Sequence, residues 1–159
     1  MNVSMAGMRK FFALLSTLLL LAIALQFFLA GMGAFDSASR DESFAPHRAL
    51  GYGILLYAVV LAIVAAAARL PGRLVGMTGL VAGLVLLQIV IAEFAGAIDN
   101  SAGSTSTTAK LVFGLHAINA IAIAITASGV AHQARALARP GGDESSPTQT
   151  RERSAGPSR

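Results

Sequence analysis

The chain has 159 residues, of which 55% are apolar and 13% charged, with a net charge of +4 and no cysteine. Soluble domains carry about 25% charged residues, so this composition excludes a water-soluble globular protein and indicates a single integral membrane domain. The lack of cysteine excludes disulfides, thiol catalysis and thiolate metal sites, and the sequence offers no basic face with interleaved aromatic residues for nucleic-acid binding.

Four apolar runs of about 20 residues predict four membrane-spanning helices, because that length crosses about 30 Å of hydrocarbon. They cover about residues 11–34, 48–68, 74–97 and 111–131. The first run has a basic flank, Arg9 and Lys10, as a signal peptide does. It is longer than the roughly 7–15 residues of a signal-peptide core, so we expect it to be retained as a span.

The basic residues predict the orientation. Nine of the 12 lysines and arginines lie before the first run, between the second and third, or after the fourth. Only Arg40, Arg48 and Lys110 lie on the other side. The positive-inside rule therefore predicts a multi-pass protein of the cell membrane with both termini in the cytoplasm and with outward loops at 35–47 and 98–109.

An internal duplication is suggested by "QFFLAGMGAFD" at the end of the first run and "QIVIAEFAGAID" at the end of the third. Each carries a glutamine, then small residues and an aspartate, and each precedes a loop and a histidine-bearing helix. The short connection "RLPGR" predicts a tight turn between the second and third runs. We expect an all-α transmembrane four-helix bundle of two repeated hairpins over residues 1–138 and a disordered tail over 139–159.

Polar residues inside the spans lie mostly in the predicted outer half. They are Gln26, Gln88, Glu93, His116 and Asn119, with His47, Arg48 and Tyr52 at the mouth of the second span. Polar groups in a bilayer tend to face the bundle or a cavity, so a polar site is expected there. The alternatives are that the amides only bond between helices, that Glu93 reaches the lipid headgroups, and that His47 is an interfacial residue without a ligand.

Other residues favour structural roles. Gly79 and Gly83 form a GxxxG pattern that is typical of closely packed membrane helices. His132 lies at the predicted cytoplasmic end of the last helix, where a cation suits the helix dipole.

The motifs "HRALGY" after residue 46 and "LHAINA" after residue 114 carry a resemblance. A four-helix membrane bundle with a histidine opening its second helix and another early in its fourth resembles one half of heme A synthase. The chain also resembles a group of small four-span actinobacterial membrane proteins of unassigned function. The first resemblance implies that His47 and His116 are axial ligands of a haem. It does not carry the oxidation chemistry of heme A synthase, because Phe44 stands where that family has its catalytic glutamate.

We therefore expect a b-type haem between His47 and His116, since a bundle core is a usual place for imidazole-ligated haem. Arg48 would pair with a haem propionate. The amides Gln26, Gln88 and Asn119 would fix the imidazole tautomers.

Three functional classes stay open at this point. The first is a haem-binding bundle in electron transfer or haem handling. The second is a scaffold or accessory subunit in a homo-oligomer or membrane complex, whose polar residues only join helices. The third is a proton or cation transporter subunit that uses Glu93 and the histidines. The sequence shows no nucleophile, metal triad or phosphate loop, so no catalytic residue is predicted and a non-enzymatic role is favoured.

Overall fold

The computed structural model of the chain describes residues 5–102 and 106–139. Its helices are α1 (Met5–Ala34), α2 (Arg40–Ser43), α3 (Ala45–Ala67), α4 (Gly72–Ala102) and α5 (Thr107–Ala138). The described residues contain no strand, as an all-α fold requires. Apart from Arg139, the predicted disordered tail lies outside the described residues.

The four long helices correspond to the four predicted spans. Each is long and apolar enough to cross a membrane, which makes the chain a multi-pass membrane protein. Three of them extend several residues beyond the apolar runs that predict them: α1 begins at Met5, α4 ends at Ala102 and α5 ends at Ala138. A helix continues past the hydrocarbon wherever its backbone remains hydrogen-bonded, so hydropathy alone underestimates its length. The orientation of the helices in the membrane stays a prediction.

The four long helices form a square. α1 and α4 each pack against both α3 and α5, whereas α1 and α4 share no Cα pair within 8 Å, and neither do α3 and α5. The two helices that carry histidines thus stand diagonally opposite each other. We call α1–α3 the first hairpin and α4–α5 the second hairpin.

The duplication extends through the buried core. Core positions of α1 recur 62 residues later in α4, as the pairs Phe12–Leu74, Ser16–Thr78, Leu19–Val81 and Ile23–Val85. Those of α3 recur 69 residues later in α5, as the pairs Ile54–Ile123, Ala58–Ala127, Leu61–Val130 and Ala65–Ala134. Even the hydroxyls behave alike, because Ser16 and Thr78 each donate to the carbonyl four residues before them at 2.8 Å. The fold is therefore a four-helix bundle of two repeated hairpins.

The turn between the hairpins ends α3 with a Schellman motif. The Leu70 N–H donates to the Ala65 carbonyl at 3.1 Å and the Arg69 N–H to the Ala66 carbonyl at 3.0 Å. Arg69 takes the left-handed position, with φ of 51°, where glycine is usual. Pro71 then prevents continuation of α3, and α4 begins at the next residue. We call this the turn end of the bundle and the opposite end, where α3 and α5 begin, the histidine end.

Two local features differ from the sequence-based expectation. The loop at 35–47 contains the short helix α2, which Ser39 caps by accepting a hydrogen bond from the Glu42 N–H at 3.4 Å; four residues are too few for a hydrophobic period to reveal. Gly79 and Gly83 lie on the exposed face of α4, and a Cβ added at either meets nothing within 4 Å. They face outward because Val81 and Val85 turn the other side of α4 to the core, so the expected close packing at this GxxxG does not occur within the chain.

Candidate functional site

At the histidine end, His47 of α3 is joined to Gln26 of α1 by two hydrogen bonds. The Gln26 side-chain Nε2 donates to the His47 carbonyl at 2.8 Å, and His47 Nδ1 lies 3.1 Å from the Gln26 carbonyl oxygen. His47 is near the start of α3, directly after Pro46, which suits the first turn of a helix. The pair ties the end of α1 to the beginning of α3.

The second hairpin repeats this arrangement. The Gln88 side-chain Nε2 donates to the His116 carbonyl at 2.8 Å, and His116 Nδ1 lies 3.2 Å from the Gln88 carbonyl oxygen. Gln88 lies 62 residues after Gln26, which is the offset between the core positions of α1 and α4. His116 lies 69 residues after His47, which is the offset between the core positions of α3 and α5. The reciprocal glutamine–histidine pair is therefore a property of the repeated hairpin.

These contacts determine the imidazole tautomers. A carbonyl oxygen can only accept a hydrogen bond, so Nδ1 must carry the proton in both histidines. In a neutral imidazole the other nitrogen, Nε2, is then an acceptor. Within the described part of the chain, neither Nε2 has a hydrogen-bond partner. Each ring thus presents a free lone pair, the form in which histidine binds metals.

The two rings lie close together across the diagonal of the bundle. Their centroids are 6.3 Å apart and their planes are inclined by 50°. His47 lies 22 residues before Arg69 and His116 lies 19 before Arg135, so counting from these basic residues predicts an axial offset of three residues, or about 5 Å at 1.5 Å per residue. The structure brings the rings together despite that offset.

The two imidazoles line a cavity of about 280 Å³. All four long helices contribute to its wall, and most positions occur as repeat-related pairs: Ile23–Val85, Gln26–Gln88, Phe27–Ile89, Ala30–Ala92, His47–His116, Gly51–Ala120 and Ile54–Ile123. The wall is mainly apolar, and the histidines and glutamines are its repeated polar members. A mainly apolar cavity with a few convergent polar groups is typical of a cofactor or small-molecule site.

The remaining predicted site residues lie around this cavity. Arg48 and Glu93 line it. Arg48 donates to the Asp41 carbonyl at 2.6 Å and lies 3.6 Å from the Asp41 carboxylate, with 44% of its side chain exposed. Glu93 is exposed. His132 lies outside the cavity and is exposed near the end of α5.

Asn119 is buried behind the cavity wall. Its Nδ2 donates to the Leu84 carbonyl at 2.9 Å and to the Gln88 side-chain oxygen at 2.6 Å. Among the described residues, the equivalent oxygen of Gln26 has no partner, although it is buried. All three predicted amides therefore bond between helices, and two of them, Gln26 and Gln88, also line the cavity.

Sequence reasoning missed the aromatic contacts of the histidines. Phe113 stacks on His116, with centroids 5.0 Å apart and planes inclined by 7°, and Arg40 lies 5.4 Å above the Phe113 ring. Phe44 meets His47 edge-on at 6.1 Å. The signal was available, since both phenylalanines precede their histidines by three residues, which places them on the same helix face.

No curated protein and no solved structure matches the chain. The likeness to one half of heme A synthase therefore stays a prediction that rests on the two histidine motifs. Over residues 26–96 the chain matches a family of unknown function, DUF6220. That range runs from Gln26 through α3 and His47 to the last third of α4, and the family adds no activity to the site it partly covers.

Proposed function

We propose that this membrane bundle binds a b-type haem, with His47 and His116 as its two axial ligands, and serves electron transfer or haem handling. The observation that carries the proposal is the pair of imidazoles 6.3 Å apart on diagonal helices, each with Nδ1 on a carbonyl and Nε2 free.

The ring separation fits a metal ion between the histidines. A metal bonded to two imidazoles at about 2 Å holds the ring centroids about 6 Å apart, because each centroid lies about 1 Å beyond its bonding nitrogen. This distance agrees with the observed 6.3 Å. Two Nε2 acceptors cannot hydrogen-bond to each other directly, so both are available to a ligand between the rings.

The set of donor groups favours haem over a bare ion. The described residues hold no group of three or more histidine, aspartate or glutamate side chains able to bind a metal. A bare zinc ion usually takes three or four protein ligands. Haem iron takes only its axial ligands from the protein, so two histidines suffice.

The surroundings of the histidines suit a porphyrin in charge and shape. Arg48 lines the cavity and is half-exposed, so its guanidinium can be shared between Asp41 and a propionate. Gly51 and Ala120, one turn beyond the two histidines, keep the wall beside each imidazole free of bulk. A porphyrin is larger than the 280 Å³ cavity, so the proposal requires lining side chains such as Phe27 and Ile89 to rotate outward on binding.

A bound haem would supply one-electron transfer. The chain's own residues would then hold the site. The backbone carbonyls of Gln26 and Gln88, rather than their side-chain amides as expected, fix the imidazole tautomers, and the apolar wall excludes water. Both factors influence the reduction potential of a haem.

The test is uptake of hemin by detergent-purified protein. We expect one equivalent to give a six-coordinate, low-spin visible spectrum. His47→Ala and His116→Ala should each abolish that spectrum while the protein still inserts in the membrane, and His132→Ala should leave it unchanged. Arg48→Leu should weaken hemin binding but keep the low-spin spectrum. A protein that stays colourless with added hemin would refute the proposal.

A scaffold or accessory role is the second candidate, and a specific observation favours it. Gln26, Gln88 and Asn119 all bond between helices, which is what interhelical polar contacts do without any ligand. Failure to take up hemin, together with co-purification of a membrane partner, would support this role. The transporter reading gains no comparable observation, because Glu93 is exposed and the four long helices are continuous, whereas transporter sites typically use broken helices.

A further inference from the structure

We infer that His116 is the fixed ligand of the site and His47 the exchangeable one, so that small nitrogenous ligands enter on the His47 side. The inference rests on the proposed haem site. It adds that the second hairpin holds its histidine ligand more firmly than the first. Its basis is that the contacts around the two histidines differ although the repeat makes their positions equivalent.

In the second hairpin, Asn119 donates a hydrogen bond to Gln88, the glutamine that in turn donates to the His116 carbonyl. Its Nδ2 bridges the Leu84 carbonyl and the Gln88 side-chain oxygen, while Gln88 Nε2 donates to the His116 carbonyl. Both ends of the Gln88 amide are thus engaged. Asn119 is only 8% exposed, so water does not compete for these bonds.

In the first hairpin, the residue equivalent to Asn119 is Leu50, 69 positions earlier. Leucine has no donor, and the side-chain oxygen of Gln26 is buried without a partner. A buried acceptor without a partner is unfavourable, so the amide of Gln26 is less strongly held in its observed position than that of Gln88. The Gln26 amide holds the His47 backbone carbonyl as the Gln88 amide holds that of His116, so the start of α3 at His47 is held less firmly in turn.

The aromatic contacts show the same difference. His116 lies flat against Phe113 at 5.0 Å, and Arg40 lies over the Phe113 ring at 5.4 Å from its centroid. The stack joins the α2 segment of the first hairpin to α5 of the second. His47 has only an edge contact with Phe44 at 6.1 Å. Rotation of His116 away from the cavity would break a stack, whereas rotation of His47 would not.

The direct test removes each ligand in turn from the full-length protein. We expect His47→Ala to retain hemin as a five-coordinate, high-spin complex and to recover the low-spin spectrum with millimolar imidazole. His116→Ala should release hemin to a haem-scavenging protein at least about threefold faster than His47→Ala, since one interhelical hydrogen bond in a membrane is worth about threefold in an equilibrium. Equal hemin release by the two variants, or imidazole rescue of His116→Ala alone, would overturn the inference.

Two separate variants, Leu50→Asn and Asn119→Leu, test whether the hydrogen bond from Asn119 causes the difference between the two histidines. Leu50→Asn supplies Gln26 with the missing donor and should slow imidazole entry at the His47 side about threefold. Asn119→Leu frees the Gln88 amide and should reduce the difference between the histidines by a similar factor. Either variant suffices if the other does not fold, and unchanged rates in a folded variant would contradict the proposed cause.

Hydrogen exchange of the haem-free protein gives a readout that does not depend on the cofactor. Backbone amides of the turn after His47 in α3 should exchange more slowly in Leu50→Asn than in the wild type, and those of the turn after His116 in α5 should exchange faster in Asn119→Leu. Unchanged exchange in both folded variants would argue against the inference even if hemin binds. Failure of the wild type to take up hemin would instead refute the proposed function.

Discussion

In the first hairpin, Gln26 holds His47 with one side-chain hydrogen bond and leaves its own oxygen unpaired; in the second, Gln88 holds His116 by the same bond and is itself held by Asn119. The contacts that the hairpins share end on backbone carbonyls. Such contacts depend on where two helices lie and persist wherever the helix positions repeat. The contact that differs requires a particular side chain, asparagine rather than leucine, and is lost when that one residue changes.

The segments that connect the helices also differ. In the first hairpin α2 folds back on the end of α1, where Gly33 faces the Ser43 carbonyl and the Phe44 ring. The equivalent residue of α4 is Ala95, which is also buried. The second hairpin therefore accommodates a methyl group at this position, and the first excludes it. The repeat thus determines the helix positions, while single residues determine how firmly each histidine is held.

The largest expected effect concerns orientation, because two hairpins in parallel should place both of their loops on one side of the membrane. The chain has no cysteine, so a single introduced cysteine is a unique label. We expect Ser37→Cys and Thr108→Cys to react with an impermeant maleimide added outside intact cells. Gly72→Cys, at the turn end, should react only after permeabilisation. Labelling of only one of the two loops would contradict the parallel arrangement of the hairpins.

Gly33→Ala should destabilise the first hairpin by about 1–3 kcal/mol, the usual cost of overpacking. The new Cβ would lie 2.7 Å from the Ser43 carbonyl oxygen and 3.1 Å from the Phe44 ring, so the α2 segment must move. Gly31→Ala is the matched control, since its Cβ meets nothing within 4 Å. It should be neutral or stabilising by up to about 1 kcal/mol. Thermal unfolding in detergent measures both, and equal melting temperatures would show that the α2 segment adapts without cost.

Gln88→Leu should cost more stability than Gln26→Leu in the haem-free protein. The first substitution removes a donor to the His116 carbonyl and the acceptor of Asn119, at about 1–2 kcal/mol. The second removes one donor together with an oxygen that is already unpaired, so we expect less than about 1 kcal/mol. The imidazole Nδ1 contacts end on backbone carbonyls and survive in both. A larger loss for Gln26→Leu would contradict the difference between the hairpins.

Gly51→Ala should have the smallest effect, because it gives the first hairpin the residue that Ala120 already supplies in the second. The added Cβ lies 3.1 Å from Gln26 Nε2, so the amide shifts slightly from the His47 carbonyl. The helix gains about 0.5–1 kcal/mol from the replacement of glycine, which offsets the weakened bond. We expect a change in unfolding free energy within about 0.5 kcal/mol of zero, and the reverse change, Ala120→Gly, to destabilise by about 0.5–1 kcal/mol.

The architecture follows from the sequence alone. Apolar runs long enough to span a bilayer dictate helices, because backbone groups in lipid must be hydrogen-bonded within their own segment. The paired glutamine and histidine motifs revealed the repeat and singled out His47, His116 and the amides around them.

How these residues meet depends on the packing of the helices and is not visible in the sequence. The Nδ1 contacts, the 6.3 Å ring separation and the stack of Arg40, Phe113 and His116 depend on the rotation and axial shift of one helix against another. A hydropathy pattern fixes neither quantity, because lipid-facing and core-facing positions are almost equally apolar in a membrane bundle. The unpaired oxygen of Gln26 is likewise invisible in the sequence, since it results from Leu50 lying where the other hairpin has Asn119.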